Sequence, residues 1–298
     1  MPMRVIFNPV AGGGRARSVF ERLKPLFDEV HADVVATRYP GHARELAREV
    51  ASEADWTVVS LGGDGTHHEV VNGLMPQAKA TLAVIAAGTG NDFARALGHA
   101  TDPVRQWAVA REGAIRRIDV GTVNGRYFLT VAGVGFDAQV AEWANHHKRG
   151  AGSGAGLFVR GVLANLWSYR SAELTVTLPE GVEEAPTFLL ACANTGVYAG
   201  GMRICPSASP DDGRLSVVWI GPLAPWQVLP LLVRVFSGSH VSHRAVRILE
   251  APRLAVDGPR RLAVHADGEL IGHLPIAVGL HPQALAVRVG PPGGAREA

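Results

Sequence analysis

The stretch SLGGDGTHHE, residues 60–69, joins an apolar run to the start of a helix through a pair of glycines. Glycines at such a junction let the backbone approach a phosphate, and the helix N-terminus supplies free N–H groups and the positive end of its dipole. Asp64, at the tip of this loop, carries the same sign of charge as a phosphate. At about 4 Å and an effective dielectric of about 20, two like unit charges repel by about 4 kcal/mol. A phosphate bound here therefore needs a cation that offsets the carboxylate.

Magnesium is a suitable cation. Mg²⁺ keeps several of its waters and uses few carboxylates when it lies between a protein and a phosphate, directly or through water. Phosphoryl transfer depends on that arrangement. Asp64 therefore favours a kinase over a passive phosphate binder.

Other nucleotide folds match the loops less well. A Walker loop requires Gly-x-x-x-x-Gly-Lys-[Ser/Thr], and none of the three lysines of the chain lies in such a loop. A dinucleotide fingerprint fails at Arg17, which stands where its third glycine belongs. Arg38, after the second predicted strand, is suited to hold a 2′-phosphate, so an NADP-binding reductase stays as an alternative.

Two more strand-to-helix junctions of this kind occur in the first 120 residues, FNPVAGGGRAR (7–17) and AAGTGNDFAR (86–95). Apolar strands alternate with helices throughout this region, which indicates a parallel sheet covered on both faces. Ligands of open parallel sheets bind beyond the carboxyl ends of the strands. All three junctions are therefore expected at one edge of the sheet.

The helix starts carry signals of their own. Thr66 followed by Glu69 fits a capping box, and Asn91 or Asp92 can cap a helix that begins with Phe93. Capping is also the purely structural explanation of these residues.

From about residue 118 the sequence changes to short β-rich runs. Asn124-Gly125 is a hairpin signal between two of them. Helices are predicted around 138–145, 156–169 and 225–236, and a mostly antiparallel β domain is the economical interpretation. The glycine-rich KRGAGSGAG (148–156) is expected to be a flexible loop, and PPGGAREA (291–298) a loose tail. The predicted strands are AELTVTL (172–178), TFLLACAN (187–194), RLSVVWI (214–220), RAVRILE (244–250), RLAVDG (253–258), RLAVHADG (261–268) and ALAVRV (284–289).

Composition excludes some classes of protein. The net charge is only +2 and the basic residues are scattered, so nucleic-acid binding has no electrostatic footprint, although a weak preference for an anionic membrane surface is allowed. The two cysteines cannot form a disulfide framework, and the N-terminus lacks the apolar region of a signal peptide. A cytoplasmic location is expected.

The most apolar stretch, Val217–Val233, contains three prolines and precedes Arg234, so a strand followed by a helix is expected rather than a membrane span. The helix has an apolar face. Core packing is the favoured explanation of that face, and docking onto lipid is the alternative. Its residues are Trp226, Leu229, Leu232, Val233 and Phe236.

Together, GGDGTHHEVVNGL (62–74) and GTGNDFAR (88–95) resemble the diacylglycerol kinase catalytic domain family, which includes bacterial soluble lipid kinases and the sphingosine and ceramide kinases. NAD kinases and phosphofructokinases share the Gly-Gly-Asp-Gly core, and the second motif is typical of the lipid kinases. The resemblance extends along nearly the whole chain through the following segments. They are NPVAGGG (8–14), TRYPGHA (37–43), RRIDVG (116–121), VAGVGFDAQV (131–140), CPSASPDDGRL (205–215) and HADGE (265–269).

This resemblance implies an α/β N-terminal domain with a parallel sheet, like that of NAD kinase and phosphofructokinase, and a mainly antiparallel β-sandwich C-terminal domain. The first would bind ATP and span residues 1–120, with the last strand, at about 284–298, returning to it. The second, 121–283, would carry the lipid. The implied ATP contacts are Asn8, Pro9, Val10, Ala11, Gly12, Thr37, Gly62, Gly63, Asp64, Gly65, Thr66, His67, His68, Thr89 and Asn91.

The family also implies two magnesium sites and a proton acceptor. Asp64, Asp92 and Asp119 would hold the catalytic Mg²⁺ through water. A structural Mg²⁺ would take the side chain of Asp212 and backbone oxygens at residues 209 and 214, with Asp211 as a competing ligand. The remaining site residues implied by the family are the catalytic acids Asp267 and Glu269, either of which can accept the proton of the lipid hydroxyl, and the structural Mg²⁺ residues Ser209 and Arg214.

The expected activity is that of a phosphotransferase with an alcohol acceptor, an ATP- and Mg²⁺-dependent lipid kinase. Diacylglycerol is the favoured substrate, and other lipid alcohols are alternatives. The alternatives are an NAD kinase, an NADP-binding reductase and a non-catalytic nucleotide sensor. The expected partner is a lipid at a membrane surface, which the protein contacts transiently. No nucleic-acid partner is expected. Edge strands in the second domain permit a homodimer. The sequence DGE also fits a plain hairpin turn, and His240 with His243 lacks a third metal ligand.

Overall fold

The computed structural model describes residues 1–147 and 155–291 of the chain. Two compact units are present: Met1–Ile118 with Gln283–Ala298 is the first, and Asp119–Pro282 is the second. The predicted flexible loop at 148–156 lies outside the described residues except for its last two residues, which begin a helix. The predicted tail lies outside them from residue 292 onward.

The first unit is an α/β structure with a parallel sheet, as the alternation of strands and helices predicts. Its strand order is β2-β1-β3-β4, and all three pairings are parallel. The strands are β1 (Met3–Phe7), β2 (Asp33–Ala36), β3 (Thr57–Gly62) and β4 (Thr81–Ala86). The helices are α1 (Arg15–Glu29), α2 (His42–Arg48), α3 (Asp64–Leu74), α4 (Asp92–Ala96) and α5 (Pro103–Glu112).

Helix α5 was not predicted, although its start is locally encoded. The side chain of Asp102 accepts a hydrogen bond from the N–H of Arg105, and Pro103 occupies the first helical position. Both residue types are favoured at those positions. The Asp-Pro pair at residues 102 and 103, followed by an apolar helical face, is therefore the sequence signal that indicates the start of this helix.

The capping box predicted at Thr66 and Glu69 is wrong. Helix α3 begins two residues earlier, at Asp64, so Thr66 lies inside the first turn. Glu69 instead accepts hydrogen bonds from the backbone N–H groups of Gly41 at 2.8 Å and Ala43 at 3.2 Å. Its carboxylate thus stabilises the start of α2, a contact between segments that sequence spacing does not reveal.

The predicted cap of α4 also differs. The helix begins at Asp92 rather than Phe93, and Asn91 precedes it in the left-handed conformation (φ 55°) without a capping hydrogen bond from its side chain. Asn91 therefore shapes the turn into the helix through its backbone, because asparagine tolerates this conformation better than most residues.

The second unit is a β-sandwich of two antiparallel sheets. Six strands form one sheet in the order β12-β11-β10-β7-β14-β15, and the other pairs β16 with β13, β13 with β8 and β8 with β9. The strands are β7 (Val131–Gly135), β8 (Ala172–Leu178), β9 (Gly181–Thr187), β10 (Leu189–Ala193), β11 (Leu215–Ile220), β12 (Val246–Ala251), β13 (Arg253–Asp257), β14 (Ala263–Ala266), β15 (Glu269–His273) and β16 (Ile276–Val289). The hydrophobic core between the sheets includes Leu174, Val176, Cys192, Val217, Trp219, Val256 and Val264.

Two strands connect the units along the chain. Strand β5 (Ala114–Val123) runs from the first unit into the second and pairs with β6 (Arg126–Phe128). The two-residue turn between them is Asn124-Gly125, with φ angles of 47° and 79°, which confirms the predicted hairpin. Strand β16 runs the other way, from the second unit into the first, where Val287 pairs with β4 in parallel.

Strand β9 escaped prediction because it is polar and stands at a sheet edge. It contains Glu183, Glu184 and Pro186, residue types that are depleted in central strands. Charged residues and proline at an edge protect its unpaired backbone groups from pairing with other chains. The same residues removed the apolar alternation that would have predicted a strand.

Three helices accompany the sandwich: α6 (Phe136–His147), α7 (Ala155–Asn165) and α8 (Pro225–Ser237). Helix α8 packs through Val228, Leu231 and Val235. The favoured explanation of its other apolar residues, core packing, is wrong for four of the five. Leu232 is partly buried against the core, whereas the side chains of Trp226, Leu229, Val233 and Phe236 are exposed. Within the described residues, no helix is both long and apolar enough to cross a membrane.

Candidate functional sites

Glycine loops meet at the carboxyl edge of the parallel sheet. The side-chain amide of Asn8, after β1, donates a hydrogen bond to Oγ1 of Thr66, at the start of α3, over 3.0 Å. A Cβ atom on Gly12 would lie only 2.2 Å from the backbone oxygen of Ala87, after β4. Gly12 also has a left-handed φ of 62°. Space and conformation therefore both require glycine where the first loop crosses the last.

The second and third loops are in backbone contact with each other. A Cβ atom on Gly88 would lie 2.4 Å from Cα of Gly63, and one on Gly63 would lie 2.9 Å from Cα of Gly88. No side chain fits at either position without displacement of the backbone. The sequence predicts three phosphate loops, and the structure brings all three together.

Asp64 and Asp92 flank the backbone of Gly90. A Cβ atom on Gly90 would lie 2.8 Å from Oδ2 of Asp64 and 3.3 Å from Oδ2 of Asp92. Oδ1 of Asp64 also lies 3.3 Å from the backbone nitrogen of Phe93, which donates to it. Two of the three acids predicted for the catalytic Mg²⁺ are therefore neighbours. They form an acidic site next to loops suited to phosphate, and that donor set fits a hard divalent cation.

The imidazoles of His67 and His68 are both buried. His67 is fully buried, with Nδ1 2.7 Å from Oγ of Ser60 on β3, and burial lowers the pKa of His67 to about 3. His68 is buried beside Asn72. The backbone N–H groups of Thr66 and His67 both donate to the oxygen of Gly63. The predicted ATP contact at His67 and His68 is through backbone amides and does not depend on the buried imidazoles, so it stays a prediction.

The other predicted ATP contacts lie along the same edge. The backbone N–H of Thr37 donates to the oxygen of Phe7, which fixes the end of β2 beside β1. Thr89 and Val10 are exposed, and Oδ1 of Asn91 is buried without a hydrogen-bond partner within the described part of the chain. A buried acceptor of this kind is costly unless a donor reaches it. The half-buried members of the full set are Asn8, Pro9, Ala11, Gly12, Thr37, Gly63, Asp64, Gly65 and Asn91, while Gly62, Thr66, His67 and His68 are buried.

In the second unit, DGE forms a hairpin turn between β14 and β15. Ala266 pairs with Glu269, and Asp267 and Gly268 occupy the turn with φ angles of 52° and 83°. The carboxylate of Asp267 nonetheless does more than form a turn. It accepts hydrogen bonds from the backbone N–H of Leu129 at 2.9 Å and from the N–H and hydroxyl of Thr130 at 2.8 and 2.6 Å. Its lone pairs are thereby committed to the segment that precedes β7.

A buried asparagine that the sequence analysis missed joins two parts of this region. The side-chain amide of Asn194, after β10, donates to the backbone oxygens of Asp119 at 3.0 Å and Leu129 at 2.9 Å. Its backbone N–H donates to the oxygen of Thr130. Asn194 therefore fixes the segment that holds Asp267. The available signal was a polar Asn-Thr-Gly immediately after a fully apolar strand.

Asp119 lies at the predicted structural metal loop. Its Oδ2 atom accepts a hydrogen bond of 2.7 Å from the N–H of Gly213, and its own N–H donates to the oxygen of Pro210. Asp119 is fully buried, so these bonds offset part of the cost of burying its carboxylate. The third acid of the predicted catalytic set thus also organises the 209–214 loop.

The loop itself has internal hydrogen bonds. The hydroxyl of Ser209 donates to Oδ1 of Asp211 at 2.7 Å, and the N–H of Arg214 donates to Oδ1 of Asp212 at 3.0 Å. Across residues 1–147 and 155–291, no group of three or more His, Cys, Asp or Glu side chains is arranged to ligate a metal. His240 contacts the backbone oxygen of Ile204 rather than a metal site.

A buried hydrogen bond between His265 and Asp137 supports the hairpin that carries DGE. Nε2 of His265, on β14, lies 3.1 Å from Oδ2 of Asp137, at the start of α6, and both side chains are almost fully buried. On the other side of the ring, Nδ1 of His265 accepts from the N–H of Gly268 at 3.3 Å. A Cβ atom on Gly133 would collide with both members of the pair. The turn is therefore held from two directions.

Comparison with known proteins gives consistent results along the whole chain. Residues 2–123 match the model of the diacylglycerol kinase catalytic domain, and residues 130–289 match that of the YegS C-terminal NAD kinase beta sandwich-like domain. A probable lipid kinase YegS-like of Chromohalobacter salexigens is 31% identical over 86% of this chain and 83% of that protein. A diacylglycerol kinase of Bacillus subtilis is 28% identical over 91% of each.

Solved structures agree in fold. A diacylglycerol kinase from Bacillus anthracis superimposes with a TM-score of 0.72 over 97% of each chain, at 21% sequence identity. The glycine loops, the acid pair and the β-sandwich together define a phosphotransferase of the NAD kinase-like fold class. Within that class the chain belongs to the diacylglycerol kinase catalytic domain family, the YegS-like lipid kinases.

Proposed function

We propose that this lipid kinase transfers the γ-phosphate of ATP to the hydroxyl of diacylglycerol in a Mg²⁺-dependent reaction. The observation that carries the proposal is the pair Asp64 and Asp92, which flank Gly90 at the edge where the glycine loops meet. Carboxylates beside a triphosphate are destabilising without a divalent cation and favourable with one. The names of the relatives support the lipid acceptor, since one is a diacylglycerol kinase and another a probable lipid kinase.

Each loop has a proposed task. The backbone around Gly12, Gly63 and Gly88 binds the phosphates. Glycine has no side chain, so a phosphate can come within hydrogen-bonding distance of the backbone N–H groups at these positions. Asp64 and Asp92 are the residues that would hold Mg²⁺. When bound, that ion neutralises charge on the transferring phosphoryl group. Positioning then supplies most of the remaining rate enhancement.

Glu269 is the proposed proton acceptor, and Asp267 its positioning residue. Asp267 accepts hydrogen bonds from Leu129 and Thr130, so both of its oxygens already have donors. Glu269 is the first residue of β15 and partly exposed. A carboxylate with access to solvent is better able to meet a lipid hydroxyl and take its proton late in the transfer.

The proposed function is tested with labelled ATP and a set of acceptors in mixed micelles, scored for phosphorylated product. The set contains diacylglycerol, a sphingoid base, phosphatidylglycerol and a long-chain isoprenoid alcohol, with NAD in detergent-free buffer as a separate arm. Product on diacylglycerol that disappears with chelator supports the proposal. Product on NAD alone would make the chain an NAD kinase, and nicotinamide-dependent fluorescence quenching without ATP turnover would favour a reductase.

A further inference from the structure

Helix α8 presents an apolar surface to solvent. Trp226 and Val233 are 76% and 73% exposed, and Leu229 and Phe236 are 38% and 40% exposed. The spacing of three, four and three residues places these four side chains on one side of the helix. Pro230 is also exposed on that side, and no charged residue is.

The opposite side of α8 is apolar as well. Val228, Leu231 and Val235 belong to the core that also contains strands β10 and β11 and helix α7. An amphipathic surface helix has polar residues on its outer side, whereas a helix that is apolar all round is normally covered. The outer face of α8 therefore has the composition of a surface that meets another apolar phase.

Three arginines lie on α8 or next to its C-terminal end. Arg234 lies on α8 itself, and Arg203 lies beside Gly238, the residue that ends the helix. Arg244 is exposed a few residues further along. Residues 213–249 contain no Asp or Glu, and within the described residues no carboxylate forms an ion pair with these three arginines. An apolar face bordered by unpaired cations matches the chemistry of an anionic lipid surface.

We propose that the outer face of α8 docks this protein onto the surface of an anionic bilayer. Trp226 and Phe236 enter the interfacial region, while Arg203 and Arg244 contact anionic headgroups. The inference rests on the proposed function to the extent that an enzyme acting on a lipid must reach a membrane. A second copy of the chain fits less well, because a symmetric contact through α8 would bring arginines together with no acid in this segment to pair with them.

Flotation with vesicles tests the docking face without substrate. Full-length protein, without nucleotide or diacylglycerol, is mixed with vesicles of phosphatidylcholine alone or of phosphatidylcholine and phosphatidylglycerol in equal parts. Wild-type protein is expected to float with the anionic vesicles. The double variant Trp226→Ser/Val233→Ser should reduce the partition coefficient about tenfold or more, because two apolar groups no longer enter the lipid. Arg203→Gln/Arg244→Gln should reduce binding to the anionic vesicles and leave any binding to neutral vesicles unchanged.

Val182→Ser and Ile115→Ser are matched controls, since those side chains are apolar and 64% and 52% exposed elsewhere. They should float like wild type. Absence of wild-type binding to either vesicle, or equal binding by the Trp226→Ser/Val233→Ser variant, would overturn the proposal. It would also fail if sedimentation showed that this variant converts a dimer into a monomer with vesicle binding intact.

Kinase assays separate this inference from the proposed function. With short-chain diacylglycerol dissolved as monomers, the α8 variants should retain wild-type turnover, because they leave the loops and acids untouched. With diacylglycerol in anionic vesicles their turnover should fall with their binding. Vesicle binding without product on any lipid would count against the proposed function and leave the docking face standing.

Discussion

Thr130 binds Asp267 twice: its hydroxyl oxygen lies 2.6 Å and its backbone nitrogen 2.8 Å from Oδ1 of the acid. The two residues are 137 positions apart in the sequence. The DGE hairpin is thereby joined to the segment before β7, and the two neighbouring acids Asp267 and Glu269 differ in their surroundings. Asp267 accepts hydrogen bonds from Leu129 and Thr130, while Glu269 is partly exposed at the beginning of β15.

This difference predicts different outcomes for two similar substitutions. Asp267→Asn places an amide group against several N–H donors and should lower the free energy of unfolding by about 1–3 kcal/mol, together with activity. Glu269→Gln should abolish turnover and lower the free energy of unfolding less than Asp267→Asn does, because Asp267 is the acid that accepts several backbone hydrogen bonds. Urea unfolding and turnover of both variants check the assignment. Full activity in Glu269→Gln would transfer the role of proton acceptor elsewhere.

The charge of Asp64 should have opposite effects with and without magnesium. In excess Mg²⁺, Asp64→Asn is expected to bind ATP more weakly than wild type, because a ligand of the ion is lost. In chelator the order should reverse, since the variant removes a negative charge next to the triphosphate. Isothermal titration under both conditions measures the two affinities. Asp55→Asn, an exposed acid of the same unit, is the control and should change neither. ATP affinity of the wild type that is independent of chelator would contradict the role given to Asp64.

Gly88 should tolerate no side chain. In Gly88→Ala the new Cβ would lie 2.4 Å from Cα of Gly63, so the loops must separate. We expect a loss of stability of about 1–3 kcal/mol and a marked loss of ATP affinity. Gly156→Ala provides the comparison, because no atom of the described residues lies within 4 Å of its Cβ position on helix α7. That substitution should be neutral or stabilising by up to about 1 kcal/mol.

The buried imidazole of His67 predicts acid sensitivity of the first unit. Burial lowers its pKa to about 3 in the folded protein, from an ordinary value of 6.5. The unfolded chain therefore binds the proton more readily, and stability is fully present above about pH 6.5 and falls as the pH drops toward 3. Between pH 6.5 and 5 the expected loss is about 2 kcal/mol.

Urea unfolding across that pH range measures the slope. His67→Gln should be less stable than wild type at pH 7.5, because it disturbs the contact with Ser60, but it should show a smaller loss on acidification. The other histidines remain in both proteins, so the difference between the slopes isolates His67. Equal slopes would indicate that the imidazole is protonated without cost in the folded state.

Elements whose signals lie within a short segment can be predicted from the amino-acid sequence. Strands β1, β3 and β4 are continuous apolar runs, each followed by a glycine-containing loop, and the turn at Asn124-Gly125 needs residues that tolerate positive φ. A strand that enters a glycine loop and a helix specifies its own geometry within a short segment. The parallel sheet, the glycine loops that follow its strands and the acid at the tip of one loop could therefore be predicted from the amino-acid sequence alone.

Only the tertiary structure decided which partners these residues have. Glu69 caps a different helix from its own, and Asn194 links segments that are 65 and 75 positions away. Hydrogen bonds of this range depend on how strands are ordered in space, and spacing along the chain carries no record of that order. The hydrogen bonds between Asp267 and Thr130 are also long-range contacts of this kind.

The apolar residues of α8 show a second limit of prediction from sequence. Periodicity of 3.6 residues places Trp226, Leu229, Val233 and Phe236 on one side of a helix, but it does not say whether that side faces a core or the solvent. Val228, Leu231 and Val235 occupy the opposite side, and these are the residues that pack on the sheet. The hydrophobic effect favours burial of either side, and the packing of the sandwich determines which one remains exposed.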